Sequence, residues 1–436
     1  YRVRSYDGAS NNSGYTTNVS KVTLSDSPTI PVATDGTLVD QVGVSWSAAV
    51  TANHYHVYKD GVAGVGTLIY NSTGTSTTDT VLDDSTHTYY VYAVNSEDAN
   101  SATYISDTGY RLAVPTAPTI GAATAQSTTS IRWAFTDNAS NEDGFKIHDG
   151  AHSIVASSAT ANLSYVDETS LTANTQYTRH AHTYNGAGDS SASANVSKYT
   201  LSATPNVSAD KTASTWYNTT DVIFTNAASF GGAGVQYYRY VFDQNATHTW
   251  ADTETQWSAS TLTRTASANG SWYLHVKAFN GDDVANGTQT YGPFYYDGSA
   301  PTDPSGLGAT ASSVSQIDLS WTVSTDAGGS NLIGYKIERA PDSAGSPGTF
   351  AQIATPSSNS YNNTSLTANT KYWYRVRSYD GATNNSGYTS NVSKVTLSDP
   401  PTLPVATDNT YTDKINVSWS SSATANHYHV YRDGVS

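Results

Sequence analysis

The 436-residue chain contains neither cysteine nor methionine. Without cysteine there are no disulfides, no thiolate metal sites and no thiol nucleophile. A eukaryotic secreted array is also disfavoured, since sandwich domains there often carry disulfides. The lack of both oxidisable sulfur side chains suits an oxidising exterior. With no methionine to initiate it, the sequence is expected to be a fragment or a processed product. Charge is scarce as well: charged residues make up 13% of the chain, about half the usual share. The balance is acidic, at −15, which leaves no phosphate-neutralising patch and excludes nucleic acid as a partner. No apolar run approaches 18 residues and no polybasic stretch occurs, so no membrane span is expected. No signal-peptide pattern opens the chain. Phenylalanine is rare at 8 residues, against 32 Tyr and 9 Trp, so the core-forming aromatics are mostly ones that carry a polar handle.

What is present is repetition. Residues 1–63 align with 374–436 at an offset of 373, with 48 of 63 positions identical. Both copies begin YRVRSYDGA and run on to HYHVY. The chain therefore holds one long period and the start of the next. Ten of the 14 prolines fall in five places: SPTIP (27–31), PTAP (115–118), TP (204–205), APTDP (300–304) and PPTLP (400–404). Proline cannot donate to a sheet ladder and stiffens an extended chain, so these places are read as short junctions that restrict hinge motion.

Between junctions the code is all-β. Val42, Val44 and Trp46 alternate with polar residues, as do Ile317, Leu319 and Trp321, and Ile415, Val417 and Trp419; Ile131 and Trp133 repeat the ending. A second alternating strand follows in each case, carrying Tyr55 and Val57, Phe145 and Ile147, Tyr335 and Ile337, or Tyr428 and Val430. Period-two alternation between Gly/Asn/Asp turns, with no helical period, predicts two-sheet sandwiches.

These residues resemble fibronectin type III modules of bacterial or archaeal surface and extracellular fibre proteins. The fullest likeness is in 302–397, through PTDPSGL, SQIDLSW, GYKIER and LTANTKYWYRVRSYDG, with Tyr372 at the family's corner-tyrosine position. Residues 115–203 are similar through SIRW, GFKI and LTANTQY, with Tyr177 at the corner and Arg179 where Tyr374 sits. Residues 27–114 keep GVSW and YHVYKDG but carry His87 at the corner. Residues 206–300 lack the leading Trp strand and instead resemble an immunoglobulin-like module. The resemblance implies an all-β fold, a linear array of fibronectin type III / immunoglobulin-like β-sandwiches. Residues 1–24 would be the last strands of one module and 400–436 the first strands of another, with adjacent copies supplying the rest.

Candidate sites are few. His54 and His56 share a strand face opposite Tyr55 and Val57, and His427 and His429 repeat them; His180 and His182 show the same spacing. Two histidines two apart suit a zinc clamp or a pH switch, but without a third ligand nearby they read as solvated surface residues. Acidic clusters at Asp83–Asp84, Glu142–Asp143 and Asp282–Asp283, and at Asp297 and Asp303 near a junction, sit in turn-like sequence, where Asp serves local hydrogen bonds. Junctional calcium is the alternative reading for the last pair, though no alternating oxygen-ligand spacing supports it. Sequons recur, among them Asn18, Asn71, Asn162, Asn269 and Asn391. Trp250, Trp257 and Trp373 are candidates for stacking on sugars, with cross-strand packing the commoner use. No Gly-rich phosphate loop, HExxH or GxSxG pattern occurs, so no catalytic, cofactor or metal residue is assigned and no enzyme is expected.

The sequence thus points to an extracellular filament or surface fibre that self-associates along its length. A stalk of an adhesin or glycan-binding array, meeting cell-surface glycans or a host surface, is one alternative. A spacer region of a secreted polysaccharide-degrading enzyme is the other.

Overall fold

A computed structural model describes residues 1–408 and 410–432, so the last four residues of the 400–436 piece lie outside it. Among these residues every regular element is a strand. Two compact units divide the chain, Tyr1–Thr200 and Leu201–Ser436.

In the first unit, one sandwich pairs a three-stranded sheet (Thr29–Ala33, Gln41–Ser47, Ser76–Thr80) with a four-stranded one (Thr67–Ser72, His54–Lys59, His87–Val94, Ile105–Gly109). The second sandwich sets Tyr165–Glu168, Ser130–Thr136, Thr119–Ile120 and Thr124–Ser127 against Ile154–Ser158, Gly144–His148, Gln176–Asn185, Gly188–Asp189 and Val196–Tyr199. The second unit contains a third and a fourth sandwich. The fourth again sets three strands (Gly308–Ser313, Gln316–Ser320, Ser360–Asn363) against a sheet built on Leu332–Ser343 and Lys371–Asp380.

The alternation produces this packing directly. Strand Gln41–Ser47 buries Val42, Val44 and Trp46 while its intervening residues face outward. The opposite sheet returns Tyr55 and Val57, and the Trp46 and Tyr55 rings meet edge to face at 5.4 Å. Trp321 and Tyr335 repeat the contact at 5.1 Å in the fourth sandwich. Each large apolar side chain buried this way contributes on the order of 1.5–3 kcal/mol. The buried tyrosines keep their hydroxyls satisfied: Tyr55 accepts from the Ala49 amide and Tyr335 from the Ser324 amide, both at 2.9 Å.

The third sandwich departs from this plan, as its sequence implies. Its core is Phe224, Tyr238, Trp257, Leu262, Leu274, Val276 and Phe294, so Trp257 is buried packing rather than an exposed sugar platform. Strand Trp216–Tyr217 runs parallel to Ala285–Tyr296, joining the five-stranded sheet at its edge.

Residues 1–24 form only a loose hairpin, with Thr16 N bonded to Val3 O at 2.9 Å, and their apolar side chains lie open. A two-stranded sheet of Thr402–Ala406 and Val417–Ser420 follows the fourth sandwich.

Candidate functional site

Three features recur on the sandwiches with different side chains, and the function must be read from them. The first is a polar bridge across the core. In the first sandwich Tyr89 donates its hydroxyl to Asp79 of the facing sheet at 2.9 Å; this bond and burial together raise the phenol pKa, burial the larger cause. In the fourth, Tyr374 donates to Asn363 at 2.8 Å. In the second, Arg179 takes the tyrosine's place, and Glu168 has come in opposite to meet it. The corner tyrosines act as the resemblance implies: Tyr177 accepts from the Thr172 amide at 2.9 Å and Tyr372 from Thr367 at 3.2 Å. In the first sandwich His87 fills that position and its Nδ1 pairs with Asp60 at 2.8 Å.

The second feature is a clamp on the segment entering each sandwich. The residue closing a long central strand reaches back to it: Asn95 donates to Thr23 O at 3.0 Å, and Asn185 to Ala113 O at 2.8 Å. Asn286 bonds Ser202 O in the third sandwich. In the fourth, Asp380 occupies the equivalent place and orients Asn384, which donates to Asp297 O at 2.8 Å. Thr183 and Ser378 add equivalent hydroxyl bonds to Thr116 O and Thr302 O. At this last junction Asp297 is fully buried and accepts from Ser330 Oγ at 2.6 Å, Ser330 N at 3.1 Å, Asn269 Nδ2 at 3.1 Å and Ser299 N at 2.9 Å. A Cβ at position 328 would sit 1.9 Å from the Asp297 carboxylate, so only glycine fits there. Asp326 and Asp380 bring their carboxylates within 4.8 Å of that of Asp297. Asp303 stands apart, capping Gly387 N at 2.7 Å.

The third feature is a patch on the outer face of the larger sheet. Directly opposed residues are Tyr58 and Tyr90 in the first sandwich, His148 and His180 in the second, Glu338 and Arg375 in the fourth. Two residues further along the second strand stand Tyr92, His182 and Arg377. In the first sandwich Tyr58 packs edge-on against Tyr92 at 5.8 Å, and Tyr104 covers Tyr90 at 5.2 Å. In the fourth, Arg375 Nε donates to Glu338 at 2.7 Å and Tyr388 bonds the other carboxylate oxygen. Although burial opposes it, these two bonds pull the Glu338 pKa below the ordinary carboxylate range. The second sandwich gathers His148, His180 and His182, and the Asp149–Ser153 turn brings His152 to them.

The histidine pairs therefore differ from the sequence expectation of solvated residues. His180, His182 and His56 are buried. His54 and His56 gain Asp98, with His54 Nε2 3.1 Å from its carboxylate, while His427 and His429 approach each other at 3.1 Å. Sequence spacing could not supply His148, which lies on the neighbouring strand. The acidic turn residues serve local roles: Asp83 accepts from the Ser85 amide, Asp84 pairs with Arg111, Glu142 accepts from the Asn162 amide and Asp283 from the Tyr237 hydroxyl. Trp373 donates to Asp342, and Trp250 packs edge-on against His248. Asn269 is committed to the Asp297 junction.

Residues 299–395 match the sequence model of the fibronectin type III domain, so the chain carries such a domain there, in a tandem of β-sandwiches. Among curated proteins, Exoglucanase B of Cellulomonas fimi is 30% identical over 303 residues, which is 66% of this chain and 26% of that protein. Alpha-amylase of Niallia circulans is 35% identical over 104 residues, covering 24% of this chain and 7% of the relative. Endoglucanase B of Cellulomonas fimi is 38% identical over 98 residues, covering 22% and 9%. The chain thus spans about a quarter of the first relative and less than a tenth of the other two. These relatives are enzymes by name, and that corrects the expectation that no enzyme is involved. The expectation rested on missing catalytic motifs, and motif absence in repeated sandwiches says nothing about the polypeptide to which such sandwiches belong. Among the described residues no helix is long and apolar enough to cross a membrane.

Proposed function

Starting from a tandem of β-sandwiches that includes a fibronectin type III domain, we propose that this chain is the spacer region of an extracellular polysaccharide-degrading enzyme. The observation that carries the reading is the 303-residue likeness to Exoglucanase B. A likeness over 66% of this chain is longer than any one of its sandwiches, which supports a relative that has more than one of them in common. This favours the spacer alternative over the filament that the repeats alone suggest.

The repeated clamps support the same reading. Each sandwich holds the segment that enters it with at least one bond from a central-strand residue, and the junction prolines Pro115, Pro118, Pro301 and Pro304 are buried. Within each compact unit, clamped and proline-stiffened junctions suit a spacer with limited hinge freedom, whose length sets the reach of whatever it connects. The neutral-polar surface, with 13% charged residues, suits sliding past uncharged glycans without electrostatic capture.

The test is hydrolysis by the complete natural polypeptide on insoluble cellulose, granular starch and their soluble counterparts. Activity on one of these families is expected. Deleting residues 201–397 is expected to lower turnover on the insoluble form several-fold while leaving the soluble form nearly unchanged. A complete polypeptide that hydrolyses none of them overturns the reading.

A further inference from the structure

The four imidazoles on the second sandwich form a constellation that no other described part of the chain explains. His148 ends strand Gly144–His148, and His180 and His182 lie on the adjacent strand Gln176–Asn185. All three point away from the core yet are 7%, 4% and 8% exposed. Their ring centroids lie 4.5 Å apart for His148 and His182, 5.1 Å for His180 and His182, and 5.7 Å for His148 and His180. His152, exposed on the turn after the first strand, closes the group at 4.9 Å from His180. One nitrogen of each ring lies within 4.8 Å of one nitrogen of every other.

The hydrogen bonding points those nitrogens at a missing partner. His182 Nδ1 donates to the Ser190 carbonyl at 2.8 Å. A carbonyl only accepts, so Nδ1 carries a proton and Nε2 is the nitrogen left to face a ligand. That Nε2 is buried and meets no donor. His180 Nε2 is likewise buried and unpartnered, and so are both nitrogens of His148. Four buried polar atoms without partners are costly to the fold.

The equivalent patches show that the fold does not require this. The first sandwich fills the same positions with mutually packed tyrosines, and the fourth with a closed Glu338–Arg375–Tyr388 set. Of these three, only the second places like groups together with buried nitrogens left unpartnered. We propose that His148, His180 and His182, closed by His152, bind one divalent d-block cation of the zinc kind, which pins the Asp149–Ser153 turn to the sheet. All-imidazole donors suit zinc, nickel or copper and not calcium or magnesium, which need oxygen ligands. A tetrahedral zinc with Zn–N bonds of about 2.0–2.1 Å sets its ligand nitrogens roughly 3.3 Å apart. Rotation of the rings and movement of His152 on its turn close the remaining gap. The Ser190 carbonyl then acts as the outer-shell acceptor that fixes the His182 ring.

The experiment uses the untagged, chelator-treated chain, titrated with zinc chloride and followed by calorimetry and thermal unfolding, with calcium chloride as control. Zinc is expected to bind with a stoichiometry of one and, at a free concentration of about a hundred times Kd, to raise the melting temperature of the second sandwich by about 10–20 °C, and calcium is expected to do nothing. The triple variant His148→Glu, His180→Arg, His182→Arg installs the fourth sandwich's own ion-pair set. It should fold, as judged by circular dichroism, and lose the zinc response. The pair His54→Ala, His56→Ala should keep it. No zinc response in the parent chain, or a response that survives the triple change, overturns the proposal. Should the triple variant fail to fold, His152→Asn, whose φ of 61° asparagine tolerates, decides: about tenfold weaker zinc binding supports the site, and unchanged binding overturns it.

Discussion

The Arg179 guanidinium lies in the core of the second sandwich against the Glu168 carboxylate, with Nε 3.0 Å from Oε2 and Nη2 2.6 Å from Oε1. Trp133 Nε1 donates to the same carboxylate at 2.9 Å. The two partners are 8% and 3% exposed and come from facing sheets, so the pair ties the sandwich together where the first and fourth sandwiches use a tyrosine.

A buried ion pair is vulnerable to the loss of one partner, because the survivor is left charged and unsolvated. Glu168→Ala should destabilise the second sandwich by about 3–5 kcal/mol. Replacing both partners by the fourth sandwich's solution, Arg179→Tyr with Glu168→Asn, should recover most of that loss. Urea unfolding followed by circular dichroism measures both; equal damage from the single and double changes would refute the bridging role.

Asp297 receives four hydrogen bonds at the junction between the third and fourth sandwiches. Asp297→Ala leaves those donors unpaired and should cost about 3 kcal/mol, taking one to two charge-assisted bonds as decisive. The measurable sign is limited proteolysis: cleavage within 298–305 should accelerate at least tenfold while the sandwich cores stay intact.

Ile30 has a φ of 52° at a bulge in strand Thr29–Ala33, a left-handed conformation that a β-branched residue resists by about 1–2 kcal/mol. Its side chain is 69% exposed, so little burial is lost on replacement. Ile30→Asn should raise the stability of the first sandwich by about 1 kcal/mol, read as a higher melting temperature. A lower one would show that the exposed isoleucine contributes packing that outweighs the strain.

Glu254 should govern the acid sensitivity of the third sandwich. Burial tends to raise its pKa, but the Ala251 amide at 2.7 Å and His248 Nε2 at 3.2 Å outweigh that and hold it down to about 2. A carboxylate depressed in the folded state contributes stability above its unfolded pKa of about 4.3 and loses it as pH falls toward 2. The contribution at neutral pH is on the order of 2–3 kcal/mol. Stability of the third sandwich should therefore fall between pH 5 and pH 2, and Glu254→Gln should flatten that decline while lowering stability at pH 7.

Much of this was legible in the residues. The alternation of Val42, Val44 and Trp46 places those side chains in the core, and Tyr177 and Tyr372 accept the upstream amides that the corner position requires. The position of Arg179 in the tyrosine's place was also visible, but its partner was not. Glu168 sits on the opposite sheet, and no period within either strand relates the two. His148 escaped for the same reason, since it is 32 residues from His180 and becomes its neighbour only when two strands pair. Aligning the core residues of successive sandwiches would have exposed it, because His148 follows Ile147 as Tyr58 follows Val57 and Glu338 follows Ile337.

The equivalent strands of the second and fourth sandwiches separate what each level decides. Period-two alternation determines which side chains share a face, because a strand's backbone turns successive side chains to opposite sides. It does not determine whether that face meets anything. Tyr374 and Arg179 occupy equivalent places and are 0% and 8% exposed, but their partners Asn363 and Glu168 come from the facing sheets. Burial is a property of the opposing layer, and that layer is made by residues far away along the chain.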